Sequence, residues 1–257
     1  SMRQAHASVW QTIPLGCLGN RDSAQGSAGS QSVTLERYDF ALETLMPISR
    51  ERKLLFVHIP KTGGSSIEKA LGLLGDWRVE DRERLFGLIQ SPFLKRQAFL
   101  SNFLQHLSLR DIQLVLPEWN KYYRFAFVRN PWDKLVSIYS NTDFNLLMQA
   151  QAQGIELKGL EFPEFIRRIV EIQHIHLLPQ YDFIYSENGK CLVNFIGRFE
   201  QMQEDFAQVC RLLKLDIQLP HLNTSVHAPY QDYYTEESKA CVGERYQVDI
   251  ETFNYHF

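Results

Sequence analysis

The stretch most informative about the fold is Leu54-Leu-Phe-Val-His-Ile-Pro-Lys-Thr-Gly-Gly-Ser-Ser66. Its first six residues form a short, nearly continuous apolar run, which predicts a buried parallel strand. Pro60 and the following glycines interrupt that run. Residues 65–74 then carry apolar side chains at helical spacing, namely Ile67, Ala70, Leu71 and Leu74. The stretch therefore predicts a strand, a glycine loop and a helix in succession.

A second strand and helix are predicted in residues 122–140. Tyr122-Tyr-Arg-Phe-Ala-Phe-Val128 is another buried run, and Arg129-Asn-Pro-Trp132 ends it. A helix is expected from Asp133, with inward-facing side chains at Leu135, Val136, Ile138 and Tyr139. Two strand–turn–helix units with helical sequence between them favour a parallel sheet covered by helices. The expected fold class is therefore α/β, a single domain with a central parallel sheet flanked by helices.

The chain is expected to divide into an arm and one domain. Residues 1–33 include a run rich in Gly, Ser and polar residues, which predicts a flexible N-terminal arm or linker. Residues 34–257 form the expected domain. A chain of 257 residues with 44% hydrophobic composition is long enough to bury one sizeable core.

Several further elements are predicted from local patterns. Asn188-Gly189, between the apolar runs 183–185 and 191–196, predicts a β-hairpin. Helices are expected in residues 35–45, 80–116, 161–173 and 199–213 and again from Thr235. Loops are expected in residues 150–160 and 221–234.

Composition excludes some classes of partner. The net charge is −3 and 22% of residues are charged, so nothing global points to nucleic acid or an anionic membrane surface. An anionic ligand would have to be held by a local cluster of donors. No apolar run is long enough to span a bilayer. The four cysteines are widely spaced, which favours free thiols in a reducing compartment.

The loop between the first strand and its helix has the composition of an anion cradle. Glycines let backbone N–H groups approach an oxyanion, and Ser65, Ser66 and the helix N-terminus add further donors. Lys61 can reach the same anion. It precedes Gly63 and Gly64, whereas a Walker A lysine follows the last glycine, so an ordinary ATPase or kinase is disfavoured. A plain glycine turn with a solvated lysine remains the alternative for this motif alone.

The second strand ends in a candidate phosphate-binding pair. Arg129 follows the strand directly, where an arginine can hold a phosphate through two parallel hydrogen bonds. Ser137 lies eight residues further on, inside the next helix. A surface arginine and a serine used for helix packing are the alternatives.

The two motifs together resemble those of the sulfotransferases that use PAPS (3′-phosphoadenosine-5′-phosphosulfate). The resemblance is closest to the carbohydrate branch that includes the heparan sulfate 2-O-enzymes. It runs from about Leu54 to Tyr246 and includes Ile196-Gly-Arg-Phe-Glu200 and the Tyr-rich tail. It implies a P-loop-like sulfotransferase fold around a parallel sheet.

The resemblance also implies roles for individual residues. Arg129 and Ser137 would hold the 3′-phosphate, and Lys61 would act as a catalytic residue by neutralising charge on the leaving bridging oxygen. The 5′-phosphosulfate would be held by Lys61, Thr62, Gly63, Gly64, Ser65 and Ser66. The sulfuryl group would pass in line to a hydroxyl of a carbohydrate or a small molecule, releasing PAP. No metal is required, and no carboxylate cluster for one is evident.

A base must take the proton of the acceptor hydroxyl, and histidine suits this role near neutral pH. His106 is the expected base, because a catalytic histidine precedes the 3′-phosphate motif in the resembling branch. A surface or capping histidine is the alternative. His58 is expected to pack in its strand, and His176 is given a role on the acceptor side. His174 and His176 form an HxH pair, but no third metal ligand is obvious.

The tyrosines of the tail have two possible roles. They could stack on adenine or line the acceptor cleft, or they could simply pack on the surface. The residues concerned are Tyr230, Tyr233 and Tyr234.

Two other functions stay open beside sulfuryl transfer. One is an atypical nucleotide-dependent kinase, which would need Mg²⁺ and an acidic ligand near the cradle. The other is a non-catalytic homologue that binds PAP or a glycan. We expect a cytoplasmic protein, with the Golgi lumen as the alternative if the chain is a truncated eukaryotic enzyme.

Overall fold

A four-stranded sheet forms the centre of the protein. The computed structural model describes residues 47–73, 104–219 and 228–257. The strands are β1 Ile48–Ser49, β2 Leu54–Val57, β3 Tyr123–Val128 and β4 Phe195–Arg198, in that order across the sheet. β2, β3 and β4 are parallel, and the two-residue β1 pairs antiparallel with β2. The predicted parallel sheet is therefore confirmed, with one short antiparallel edge.

Helices connect and flank these strands. The first is α1 Gly64–Leu71, and α2 Leu109–Val115 lies between β2 and β3. After β3 come α3 Pro131–Ser140, α4 Phe144–Ala152, α5 Phe162–Ile169 and α6 Tyr181–Ile184. After β4 come α7 Met202–Leu213, α8 Glu236–Arg245 and α9 Gln247–Phe253.

Alternating side chains of β2 and β3 are buried on the two faces of the sheet. Leu55 and Val57 belong to a core cluster with residues of α2, α6 and α9. Leu54 and Phe56 belong to a second cluster with residues of α1 and α7. A third cluster, built by α3, α4, α5 and α8, contains the buried Leu135 of α3. The flanking helices expected from the sequence are thus present on both faces.

The predicted hairpin around Asn188-Gly189 is wrong. Its first arm is helical in α6, and the two arms share only an isolated antiparallel bridge between Tyr185 and Cys191. The turn itself forms, with Gly189 at φ 80°. The apolar run that follows joins β3 instead, because a parallel partner for its backbone groups is available there.

Two other expectations need correction or fall outside the described residues. Residues 144–152 form α4, which the sequence did not predict, and the helix expected at 161–173 is shorter. The expectations for residues 1–46, 74–103 and 220–227 lie outside the described residues, so the domain boundary stays a prediction. Within the described ranges, none of the helices has the length and apolarity needed to cross a membrane.

Gly197→Ala should destabilise the fold by about 1–3 kcal/mol, because overpacking a dense core is costly. An added Cβ would lie 2.5 Å from the ring of Phe127, its cross-strand neighbour on β3. Gly243→Ala is the control, since its Cβ would meet Trp132 at an ordinary 3.6 Å and Ala favours the helix. Urea denaturation compares the two variants. Equal stabilities would contradict the packing of β4 against β3.

Candidate active site

The register of the sheet brings the two sequence motifs together. Val57, the last residue of β2, pairs with Ala126 of the parallel β3. The loop that contains Lys61 and the segment that begins at Arg129 therefore leave the same edge of the sheet. They meet directly, because the Arg129 guanidinium donates from Nη1 to the Lys61 carbonyl oxygen at 3.2 Å.

The loop after β2 is held by its own hydrogen bonds and by left-handed backbone. Lys61 has φ 66° and Gly63, the residue that precedes α1, has φ 80°. The buried Thr62 hydroxyl donates to the Ile59 carbonyl at 2.9 Å. The Thr62 side chain therefore braces the loop, a role that the sequence did not indicate.

The two glycines of the loop also make room for side chains. A Cβ on Gly64 would lie 2.3 Å from the imidazole ring of His58, which is buried beside it. A Cβ on Gly63 would lie 2.2 Å from the methyl carbon of Met202. Access for an anion is therefore not the only reason for glycine here. Gly64 is required by the His58 ring as well.

Helix α3 lies beside the residues expected to bind the donor. Asp133 and Ser137 are four residues apart within the helix and share one side of it, and Arg129 and Asn141 lie just outside its two ends. The Arg129 Nε and the Asp133 carboxylate are 2.7 Å apart. Lys61 reaches the C-terminal end of α3, where its ammonium donates to the Asn141 carbonyl at 3.0 Å. Lys61 and Arg129 thus contact each other and the two ends of α3, the helix that contains Ser137.

The Arg129 guanidinium is fixed by several neighbours. It is buried and stacks over the Phe199 ring, 3.9 Å from the ring centroid. The Gln180 amide makes two hydrogen bonds with the Arg129 backbone, at 2.7 and 2.8 Å. Gln180 is in turn held by Asp249, which accepts its backbone N–H at 2.8 Å. The sequence missed these partners, although the i,i+4 spacing of Asp133 could have indicated the ion pair.

Burial lowers the pKa of the Lys61 ammonium. The negative charge of Asp143 partly offsets this effect, and the positive charge of Arg129 adds to it. Lys61 therefore lies between the Arg129 guanidinium and the Asp143 carboxylate, near the end of α3.

His106 lies beside the loop. Its Nδ1 donates to the His58 carbonyl at 3.0 Å, so the proton of the neutral ring is on Nδ1. Burial and the neighbouring histidines hold its pKa well below the ordinary value of 6.5. His106 is therefore neutral near pH 7, with the Nε2 lone pair available. His58 itself is paired with Glu68 at 2.6 Å.

Two further histidines complete the cluster. The ring of His176 meets that of His106 edge to face, at 5.5 Å between centroids, and that of His174 at 4.8 Å. Asp143 pairs with Nδ1 of His176 at 2.7 Å. Across the described ranges, no group of three or more His, Cys, Asp or Glu side chains is arranged to hold a metal ion.

The tail tyrosines pack against the third core cluster. Tyr234 donates its hydroxyl to the Trp132 carbonyl at 2.9 Å, and its ring meets that of Phe162. Tyr230 accepts from the Asn130 amide at 3.3 Å. Tyr233 also contacts Phe162. These contacts support the packing role, and a role in binding adenine or the acceptor stays a prediction.

Comparison with known proteins identifies the family. Residues 46–256 match the profile of the Sulfotransferase family, so the chain belongs to the sulfotransferase family. It is 25% identical to mouse Carbohydrate sulfotransferase 14 over 178 residues, 63% of this chain and 44% of that protein. It is 22% identical to mouse Carbohydrate sulfotransferase 8 over 215 residues, 75% and 47% of the two chains.

One further relative matches over a shorter stretch. A protein of Archaeoglobus fulgidus is 32% identical over 114 residues, 43% of this chain and 83% of that protein. The chain spans about half the length of the carbohydrate sulfotransferases that it matches. No solved structure matches it.

His174→Asn should make the stability of the fold less sensitive to acid. Burial lowers the pKa of His174 from 6.5 to about 4, so the unfolded state binds more protons between these values. The stability associated with neutral His174 is therefore present above pH 6.5 and is lost as the pH falls through this window. Asparagine cannot titrate, and it can still accept the His176 N–H that His174 Nδ1 accepts.

Urea denaturation at pH 7 and pH 5 measures this effect as a difference between the two proteins. Between pH 7 and pH 5, the free energy of unfolding should fall by about 2 kcal/mol more in the wild type than in the variant. The same pH dependence in both proteins would show that His174 is not held neutral by the fold.

Proposed function

We propose that the chain transfers a sulfuryl group from PAPS to a hydroxyl of a carbohydrate, releasing PAP. The observation that carries this proposal is the contact of Lys61 with Arg129 beside α3, the helix that contains Ser137. These residues follow two parallel strands at their carboxyl ends, where open α/β sheets bind ligands. Membership of the sulfotransferase family supports the same reaction.

The donor would be held by the loop and by α3. In this proposal the loop is P-loop-like, with backbone N–H groups and the α1 N-terminus facing the 5′-phosphosulfate. Ser65 and Ser66, which are not buried, can add hydroxyl donors. Arg129 uses two of its five N–H groups on Asp133 and Lys61. Its remaining donors, together with Ser137, would hold the 3′-phosphate.

Catalysis would rest on positioning and charge. The sulfuryl group passes in line from the phosphate to the acceptor oxygen, and negative charge grows on the bridging oxygen as it leaves. The Lys61 ammonium would stabilise that charge. A metal ion is not part of the proposal.

A histidine of the cluster beside the loop would take the acceptor proton. His106 has the protonation state that a base needs, with Nδ1–H donated to a carbonyl and Nε2 unprotonated. Its closest ring neighbours are His58 and His176. The family resemblance gives His106 as the candidate base, and His176 is the alternative within the same cluster.

The acceptor and the location are parts of the same proposal. Several relatives are named carbohydrate sulfotransferases, which favours a carbohydrate over a small molecule. The kinase alternative is disfavoured, because Lys61 precedes the glycines and the family is that of the sulfotransferases. The wide spacing of the cysteines keeps the cytoplasm as the proposed location, with the Golgi lumen as the alternative.

Lys61→Asn should lower kcat for sulfuryl transfer by about 10²- to 10³-fold, because it removes the charge opposite the leaving oxygen. Asparagine tolerates the left-handed backbone of this position, so the loop should be retained. Transfer is measured from sulfur-35 PAPS to desulfated heparan sulfate and desulfated chondroitin. Lys69→Gln, an exposed lysine of α1, is the control. Equal losses in both variants would contradict the role of Lys61.

Arg129→Lys should weaken PAP binding more than tenfold, although the charge is retained, because lysine cannot form two parallel hydrogen bonds with a phosphate. Calorimetry of PAP binding measures this change, with Arg167→Lys on the exposed surface of α5 as the control. Unchanged affinity in Arg129→Lys would remove Arg129 from the donor site.

A further inference from the structure

His106 lies between two histidines that each have a carboxylate partner. His58 is paired with Glu68, and His176 is paired with Asp143. The first pair is deeply buried, and Glu68 also accepts from the Gln105 amide at 2.5 Å. The second pair is more open, because 17% of the His176 side chain is exposed. His176 is therefore the histidine with a carboxylate partner that an acceptor can approach.

Asp143 holds the His176 ring in a defined orientation. One carboxylate oxygen caps α4 by accepting the Leu146 N–H at 2.8 Å, and the other lies 2.7 Å from Nδ1 of His176. Burial alone would raise the pKa of Asp143, but the hydrogen bond and the charge of His176 outweigh it and lower the pKa. Asp143 is thus an anchored carboxylate that faces one ring nitrogen.

This contact determines which nitrogen of His176 can accept a proton. An ionised carboxylate only accepts hydrogen bonds, so the Nδ1 of neutral His176 carries the proton and Nε2 has the lone pair. The backbone is fixed as well, because His174 Nδ1 accepts the His176 N–H at 3.2 Å. The same carboxylate would stabilise the imidazolium formed when Nε2 takes a proton.

His176 and Asp143 lie next to Lys61. The Lys61 ammonium donates to the carbonyl of Asn141, only two residues before Asp143. The negative charge of Asp143 also opposes the lowering of the Lys61 pKa by burial. Lys61 is the residue expected at the leaving group, so the pair lies on the side of the site where transfer would occur.

We propose that His176, oriented by Asp143, is the general base that takes the proton from the acceptor hydroxyl. This inference rests on the proposed function. The acceptor oxygen bonds to sulfur while the bond from sulfur to the bridging phosphate oxygen breaks, and that electron pair stays on PAP. The acceptor proton moves to Nε2 of His176, and the imidazolium faces the Asp143 carboxylate. The proton then leaves to solvent, to which 17% of the His176 side chain is exposed.

His106 has a different role in this assignment. Its Nδ1 faces a neutral carbonyl, and in the described part of the chain no carboxylate forms an ion pair with its ring. A positive charge on this buried ring would also be opposed by the burial and the neighbouring histidines that lower its pKa. His106 packs against the His176 ring and is a positioning residue.

Three asparagine variants separate these roles. His176→Asn removes the base, and His106→Asn keeps a donor that can reach the His58 carbonyl while removing Nε2. In Asp143→Asn the amide can still cap α4 through its oxygen, but its NH₂ group donates to Nδ1 and moves the ring proton to Nε2. Transfer from sulfur-35 PAPS to desulfated glycosaminoglycans gives kcat, and calorimetry gives the PAP affinity. Circular dichroism melting checks the fold.

His176→Asn and Asp143→Asn should each lower kcat by about 10²- to 10⁴-fold with PAP affinity within about threefold of wild type. In Asp143→Asn, the ring proton of His176 should also move from Nδ1 to Nε2, a change that a merely structural role of Asp143 would not produce. His106→Asn should lose less activity than either variant.

Nitrogen-15 NMR of the histidine rings in the PAP complex tests the assignment without an acceptor. We expect the proton on Nδ1 of His176 in the wild type and on Nε2 in Asp143→Asn. A wild-type His176 with its proton on Nε2, or a larger loss of kcat in His106→Asn than in His176→Asn, would overturn the assignment while the donor site stands. Failure of the wild type to bind PAP would overturn the proposed function as well.

Discussion

Parallel pairing of β2 with β3 is the constraint on which the candidate site depends. The register from Leu54 opposite Tyr123 to Val57 opposite Ala126 ends both strands at one edge of the sheet. Lys61 and Arg129 are 68 residues apart in sequence, yet this pairing brings them into hydrogen-bond contact. A slip of one residue would turn the buried side chains of a strand to the opposite face, so the two core clusters also determine the site.

Local patterns were sufficient for the sheet and for the helices that follow its strands. The apolar runs of β2 and β3 and the helical spacing after each are properties of neighbouring residues, and the structure confirms them. The wrong or missing predictions concern segments whose structure depends on contacts with residues distant in the sequence. The run after Asn188-Gly189 pairs with β3 rather than with its neighbour in sequence. Helix α4 is rich in glutamine and exposes Phe144, so its apolar periodicity is weak.

The candidate site could be predicted only at the level of its motifs. Lys61, Arg129 and Ser137 were identified because their residue types and positions after strands indicate anion binding. Their supports could not be identified, since Gln180 and Asp249 come from distant parts of the chain. The histidine cluster shows the same limit. His106 and His176 are 70 residues apart in the sequence, and only the fold brings their rings into contact.

The proposed donor site for PAP is formed by the protein's own side chains and backbone. Calorimetric titration of PAP into the wild-type protein with EDTA present, with ATP as the comparison, tests it most directly. Micromolar or tighter binding of PAP, with much weaker binding of ATP, is the predicted result. No binding of PAP, or binding of ATP that depends on Mg²⁺, would contradict the account and favour a kinase.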